Sequence, residues 1–144
     1  MSIEVKVAKL HPEARLPHYA HQGPYGDLAA DVTALEDTSL APGEIKAVHT
    51  GLAFEFPPHH GALVEDRSGL ALKGITTLAG VIDPGYRGEL KVVLINLGKS
   101  AFRINAGDRI AQLRIIHRIE TDFVEVESVM VTERNQRGFG STGS

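Results

Sequence analysis

The chain has 144 residues, a formal net charge of −3 and no cysteine. That length suits one domain, which by surface scaling buries about two-thirds of its unfolded area. The charge argues against a nucleic-acid partner, the missing thiols exclude disulfides and thiolate zinc sites, and no apolar run approaches membrane-spanning length. At the N-terminus Ile3, Val5 and Val7 alternate with Glu4 and Lys6, the period of a half-buried strand rather than of a leader peptide. A cytoplasmic location with no membrane association is therefore expected.

Residues 11–26 carry three prolines and two glycines and read as an irregular loop, ending in Gly26-Asp27-Leu28. Ala41-Pro42-Gly43-Glu44 is a turn, followed by a long predicted strand through Val48 to Phe56 and a break at Pro57-Pro58. Residues 66–74 are the one stretch with helix character, a Leu/Ala run closed by Gly74 at the C-cap position. Next, Val81 and Ile82 form strand, Pro84-Gly85 reverses the chain, and residues 90–95 return as strand, so the segment reads as a hairpin. Asp83 sits at its mouth, with Tyr86 three residues on. Short strands are predicted near 102–104 and 109–116 around the turn Asn105-Ala106-Gly107-Asp108, and a last strand from 123 to 131. Short strands punctuated by turns predict an all-β sandwich or barrel with one short helix.

Residues 134–144 differ in kind. One large apolar residue, Phe139, stands among glycines, hydroxyls and two arginines. Such a segment buries too little to order itself and is expected to be mobile when free. Its glycine-flanked amides, hydroxyls and guanidinium groups suit phosphate oxygens, and Phe139 offers a face for a base.

Five ordered motifs carry a resemblance across nearly the whole chain. They are Gly26-Asp27-Leu28, Asp66-Arg67-Ser68-Gly69-Leu70-Ala71, Gly80-Val81-Ile82-Asp83 with Tyr86-Arg87-Gly88-Glu89, Gly107-Asp108-Arg109-Ile110-Ala111-Gln112-Leu113, and the tail from Arg134 to Gly143. In that order they resemble the trimeric dUTP pyrophosphatases (dUTPases). The resemblance implies a distorted jelly-roll-like β domain over residues 1–133, a tail over 134–144 that closes on the nucleotide, and a homotrimer with shared active sites. It also implies Mg²⁺-dependent cleavage of dUTP to dUMP and pyrophosphate, which keeps uracil out of DNA and supplies dUMP for thymidylate synthesis.

By that resemblance Asp83 is the base that deprotonates the attacking water, and Gln112 helps place the water and the phosphate. Asp27 acts on Mg²⁺ through metal-bound water, the ion being held chiefly by the triphosphate. Arg67, Ser68 and Gly69 contact phosphate near the start of the short helix. Thr77, Gly80, Val81, Ile82, Tyr86 and Lys91 belong to the hairpin that receives the nucleoside. There Tyr86 leaves no room for a 2′-hydroxyl, and the main chain pairs with the uracil edge. Arg134, Phe139, Gly140, Ser141 and Thr142 close the site, with Arg137 able to share the γ-phosphate role of Arg134. A cytosine edge mismatches this hairpin at two polar groups, each costing about 1–3 kcal/mol.

The sequence departs from the family pattern at several places. Pro24 and Tyr25 stand where Ala-Gly is common, Thr77 replaces a frequent Asn, and Asn135 and Arg137 replace tail glycines. Asp66 replaces the proline before Arg-Ser-Gly and brings a negative charge towards the phosphates unless it points away. A dCTP deaminase and a non-catalytic nucleotide-binding regulator are the alternatives on this architecture. The hairpin from Ile82-Asp83 to Gly88 and the Ser-Thr tail stand against the first, and the joint presence of Asp83, Arg67, Ser68, Gln112 and the Phe139 tail stands against the second.

Overall fold

The structure, a computed structural model, describes residues 2–140. The expected β sandwich is present, with ten strands and one short helix among the described residues. One sheet is formed by β1 (Lys6–Lys9), β4 (Ile45–Glu55), β8 (Glu89–Asn96) and β6 (Ile75–Thr77), in the order β1-β4-β8-β6. The other is formed by β2 (Ala30–Thr33), β10 (Arg109–His117), β5 (His60–Glu65) and β7 (Val81–Ile82), in the order β2-β10-β5-β7. β3 (Thr38–Leu40) and β9 (Phe102–Ile104) pair separately. All ladders are antiparallel, so the architecture is a distorted jelly-roll-like sandwich.

Period-two patterning puts the apolar residues of both four-stranded sheets into one core. Val48, Leu52, Phe54, Leu90, Val92 and Leu94 enter it from one sheet, and Val32, Val64, Ile110 and Leu113 from the other. Two buried polar side chains are fully used. Thr50 Oγ1 donates to the Leu90 carbonyl at 2.6 Å, and Asn96 Nδ2 donates to the Leu40 and Ser100 carbonyls at 3.0 and 2.9 Å.

The helix, α1, is only Ser68–Ala71, and Gly74 ends the segment at φ +85°. The turn predicted at 105–108 is present, closed by Asp108 N donating to the Asn105 carbonyl at 2.9 Å.

Two expectations are corrected. Val81–Ile82 does not pair with β8, because β7 adds to the edge of β5 in the opposite sheet, with Ala62 facing Ile82. β8 instead pairs with β4 on one side and with β6 on the other, where Thr77 faces Leu94. Residues 79–88 are thus a long excursion that leaves one sheet, touches the other and returns. The strand predicted at 123–131 is absent, since residues 118–140 have no ladder partner in their own chain. Its alternation is real but has no edge here to dock on. Phe123, Val124, Val129 and Met130 consequently stand exposed. The chain's accessible area of 10307 Å² exceeds the roughly 7,200 Å² expected of a compact monomer of this mass. Among the described residues no helix is long and apolar enough to cross a membrane.

Candidate active site

The short helix opens beside the end of β10, and backbone-directed contacts lock the two together. Gln112 Nε2 donates to the Asp66 carbonyl at 2.8 Å, and Arg67 Nη1 donates to the Arg109 carbonyl at 3.1 Å. Arg67 at the N-cap is extended (φ −88°, ψ 134°) and no side chain caps the helix, so the amides of its first turn remain open to water or an anion. Ser68 and Gly69 are exposed at this corner. The structure therefore gathers Arg67, Ser68, Gly69 and Gln112 into one polar, cationic corner suited to phosphate oxygens.

Asp66 does not add its charge to that corner. Its carboxylate turns away, accepting from Thr76 Oγ1 at 2.5 Å and from the Thr77 amide at 2.7 Å. Burial works to raise its pKa, but those donors outweigh it and hold the carboxyl below its ordinary value. Of the two alternatives the second holds, since the carboxylate points away and ties the helix corner to β6. It also leaves the Thr77 amide already engaged.

Asp27 closes the loop that leads into β2. The His21 amide donates to Oδ2 at 2.9 Å, and the His21 ring Nδ1 lies 3.2 Å from Oδ1. The amide bond, followed by the ring contact, lowers the Asp27 pKa, so the exposed group is ionised at neutral pH. Among the described residues no group of three or more His, Asp or Glu side chains is placed to hold a metal ion. A lone carboxylate with both oxygens already engaged by a neighbour fits a contact to a Mg²⁺-bound water better than a direct ligand position.

The excursion at 79–88 builds the second part of the site. Gly80 passes so close to β5 that a Cβ on it would meet the Val64 carbonyl oxygen at 2.6 Å, and its φ of +128° suits glycine alone. The gain is a bond from Val64 N to the Gly80 carbonyl at 2.8 Å, which extends the β5–β7 ladder. Beyond it Asp83 is exposed, and its carboxylate accepts no hydrogen bond from the described residues. Tyr86 folds back over Gly88, where a Cβ would sit 2.6 Å from the phenol oxygen, and Oη donates to the Glu89 carbonyl at 2.8 Å. The tyrosine ring is thus fixed at its tip with one face open. Lys91 lies on β8 opposite His49, exposed.

The two parts do not meet within one chain. Ile82 faces Ala62 on β5, so Asp83 is level with Gly61, while Gln112 faces Glu65, which puts Asp83 and Gln112 about two strand spacings and four residues apart, roughly 16 Å. Nor do the described residues of the tail complete the site. Arg134 Nε donates to the Arg137 carbonyl at 2.7 Å and Arg137 Nε returns a bond to the Arg134 carbonyl at 3.1 Å, while Phe139 is wholly exposed. Gly140 is described at φ +82°, whereas Ser141 and Thr142 lie outside the described residues.

Reading the sequence missed Asp31 and the pair His49–Glu89. Asp31 lies between Arg67 and Arg109, with N···O separations of 3.8 and 3.6 Å. Glu89 accepts from the Gly51 amide at 2.9 Å with His49 Nδ1 at 3.0 Å, bracing the base of the excursion. Burial again opposes these donors, which prevail and lower the Glu89 pKa.

The chain is similar to known proteins along nearly its whole length. A family model described as dUTPase matches residues 14–143. The deoxyuridine 5′-triphosphate nucleotidohydrolase of Solibacter usitatus is 44% identical over 144 residues, covering 98% of this chain and 97% of that protein. The protein of the same name from a Thermoanaerobacter species is 46% identical over 149 residues, covering 99% of each. Among solved structures, the dUTPase of Staphylococcus bacteriophage 80alpha with dUPNHPP superposes with a TM-score of 0.86 at 27% identity, covering 99% of this chain and 100% of that one.

Proposed function

The chain belongs to the dUTPase family and hydrolyses dUTP, and we propose that it does so as a Mg²⁺-dependent homotrimer in which Asp83 directs water at the α-phosphorus. The observation that carries this reading is the separation of the site. An exposed carboxylate and an exposed tyrosine lie at one end of a sheet, and an arginine, a glutamine and uncapped amides lie at the other. A nucleotide needs both ends at once, and about 16 Å is too far for Asp83 and Gln112 to hold the same water. Sharing between subunits brings one chain's Asp83 to another chain's Arg67 and Gln112. The uncovered apolar arm and the excess accessible area support the same assembly.

The step itself is an in-line displacement. The water oxygen bonds to the α-phosphorus as the bond from that phosphorus to the bridging oxygen breaks. The water proton passes to the Asp83 carboxylate, and pyrophosphate leaves. Arg67, Ser68 and the open amides of Gly69 and its neighbours meet the charge that builds on the phosphate oxygens. Gln112, fixed through the Asp66 carbonyl, orients the attacked phosphate. Mg²⁺ would be held chiefly by the triphosphate with Asp27 as the nearby carboxylate, and would supply charge neutralisation. Thr77, Gly80, Val81, Ile82 and Lys91 shape the nucleoside pocket around Tyr86. Residues 134–144 form the lid over the β domain of residues 1–133, with Arg134, Phe139, Gly140, Ser141 and Thr142 on the nucleotide. No partner other than nucleotide and further copies of this chain is needed, and the setting is cytoplasmic.

The test supplies dUTP, dCTP, dTTP and UTP in turn, with Mg²⁺ or with a chelator, and follows pyrophosphate and ammonia. Pyrophosphate from dUTP alone, lost on chelation, is the expected result. Ammonia from dCTP would instead establish the deaminase, and no product from any substrate would establish a regulator.

A further inference from the structure

We propose that Asp31 is a positioning residue for dUTP hydrolysis, which aims the Arg67 guanidinium at the substrate phosphates while offsetting part of the charge of Arg67 and Arg109. The inference rests on the functional reading above and deepens it, since no motif of the sequence includes this residue.

Asp31 is fixed by its backbone before its side chain is considered. The β2–β10 ladder sets it directly opposite Gln112. On its other side, Asp31 N donates to the His18 carbonyl at 2.8 Å and His18 N donates to the Asp31 carbonyl at 3.0 Å. A substitution at this position therefore leaves the main-chain bonds in place. The side chain is mostly covered, with 22% of it accessible, and each carboxylate oxygen faces a different arginine. Oδ1 lies 3.8 Å from Arg67 Nε, and Oδ2 lies 3.6 Å from Arg109 Nη1.

Arg67 is consequently held at two points, by the Asp31 charge on the Nε side and by the Arg109 carbonyl at Nη1. Its Nη2 makes no hydrogen bond among the described residues and is the donor left for phosphate. An arginine on a flexible stem loses rotamer freedom when it docks, and a carboxylate that orders it beforehand removes that cost from the reaction path. The same carboxylate offsets one of the two positive charges facing the polyanion, which weakens binding of the ground state.

The two effects oppose each other, and that opposition gives the test. Asp31→Asn keeps the shape but frees a positive charge and loosens Arg67. Its kcat for dUTP should fall about 10-fold while KM stays level or falls up to about threefold at low salt, a gain that disappears as salt screens it. Asp31→Glu, which keeps the charge, should retain kcat within about threefold. In an Arg67→Lys background, Asp31→Asn should cost less than about twofold further, because its target is already gone. A kcat near wild type, a raised KM alongside the lowered kcat, or the full 10-fold loss repeated in the Arg67→Lys background would each overturn the proposal. Those results require a wild-type chain that turns over dUTP. If it does not, the functional reading fails with the inference, whereas wild-type turnover with an unaltered Asp31→Asn sinks the inference alone.

Discussion

Asp83→Asn is expected to lower kcat for dUTP by about 10²–10⁴, equivalent to about 2.7–5.5 kcal/mol of barrier. The amide keeps the size and hydrogen-bonding reach of the carboxylate but cannot take the proton of the attacking water. Folding should be unaffected, because the carboxylate is exposed and bonds to none of the described residues. The turn that presents it is held by the main chain and by Arg87. Tyr86 N donates to the Asp83 carbonyl at 3.1 Å, and Arg87 Nη1 donates to the Pro84 carbonyl at 2.7 Å. Binding of dUTP should therefore remain within a few fold of wild type. Steady-state kinetics beside a binding titration separates the two quantities, and near-normal turnover would remove Asp83 from the role of base.

Deleting everything after Glu133 should lower dUTP turnover by at least about 10², or about 2.7 kcal/mol of transition-state stabilisation. Arg134 and Arg137 bond to each other's backbone and Phe139 stands fully exposed, so removing them costs the β domain no core contact. The truncated chain should remain trimeric by light scattering and still bind dUMP through the excursion that carries Tyr86. On the lid proposal, closure of the tail would exclude water from all but the attacking position and strengthen each charge interaction inside, effects that would appear in turnover more than in affinity. Wild-type turnover by the truncated chain would make residues 134–144 a frayed terminus. A monomer with full activity would refute shared sites.

The sequence made the turns and the motif residues legible because their causes are local. Proline, glycine and asparagine fix the reversals at 42–43 and 105–108, and Gly74 marks the end of the helix wherever the chain goes next. Pairing is different, since it depends on which edge is free in three dimensions. Val81 and Ile82 look like one arm of a hairpin with residues 90–95, yet the open edge of β5 captures them, helped by Gly61 and Gly80, whose missing side chains allow the close approach. Residues 123–131 alternate like a strand but face no edge in their own chain. Asp31 and the turned-away Asp66 were illegible for a related reason. An acid on the wet face of a strand is ordinary until register sets it beside Arg67 and Arg109, and which way Asp66 points is decided only by Thr76 and Thr77 lying within its reach.

The central claim is that water attacks the α-phosphorus of dUTP under the direction of Asp83, and hydrolysis in ¹⁸O-labelled water tests it directly. Mass spectrometry of the products after a single turnover should place the label in the phosphate of dUMP, with none in pyrophosphate. Label in pyrophosphate would put the attack on the β-phosphorus and contradict the account.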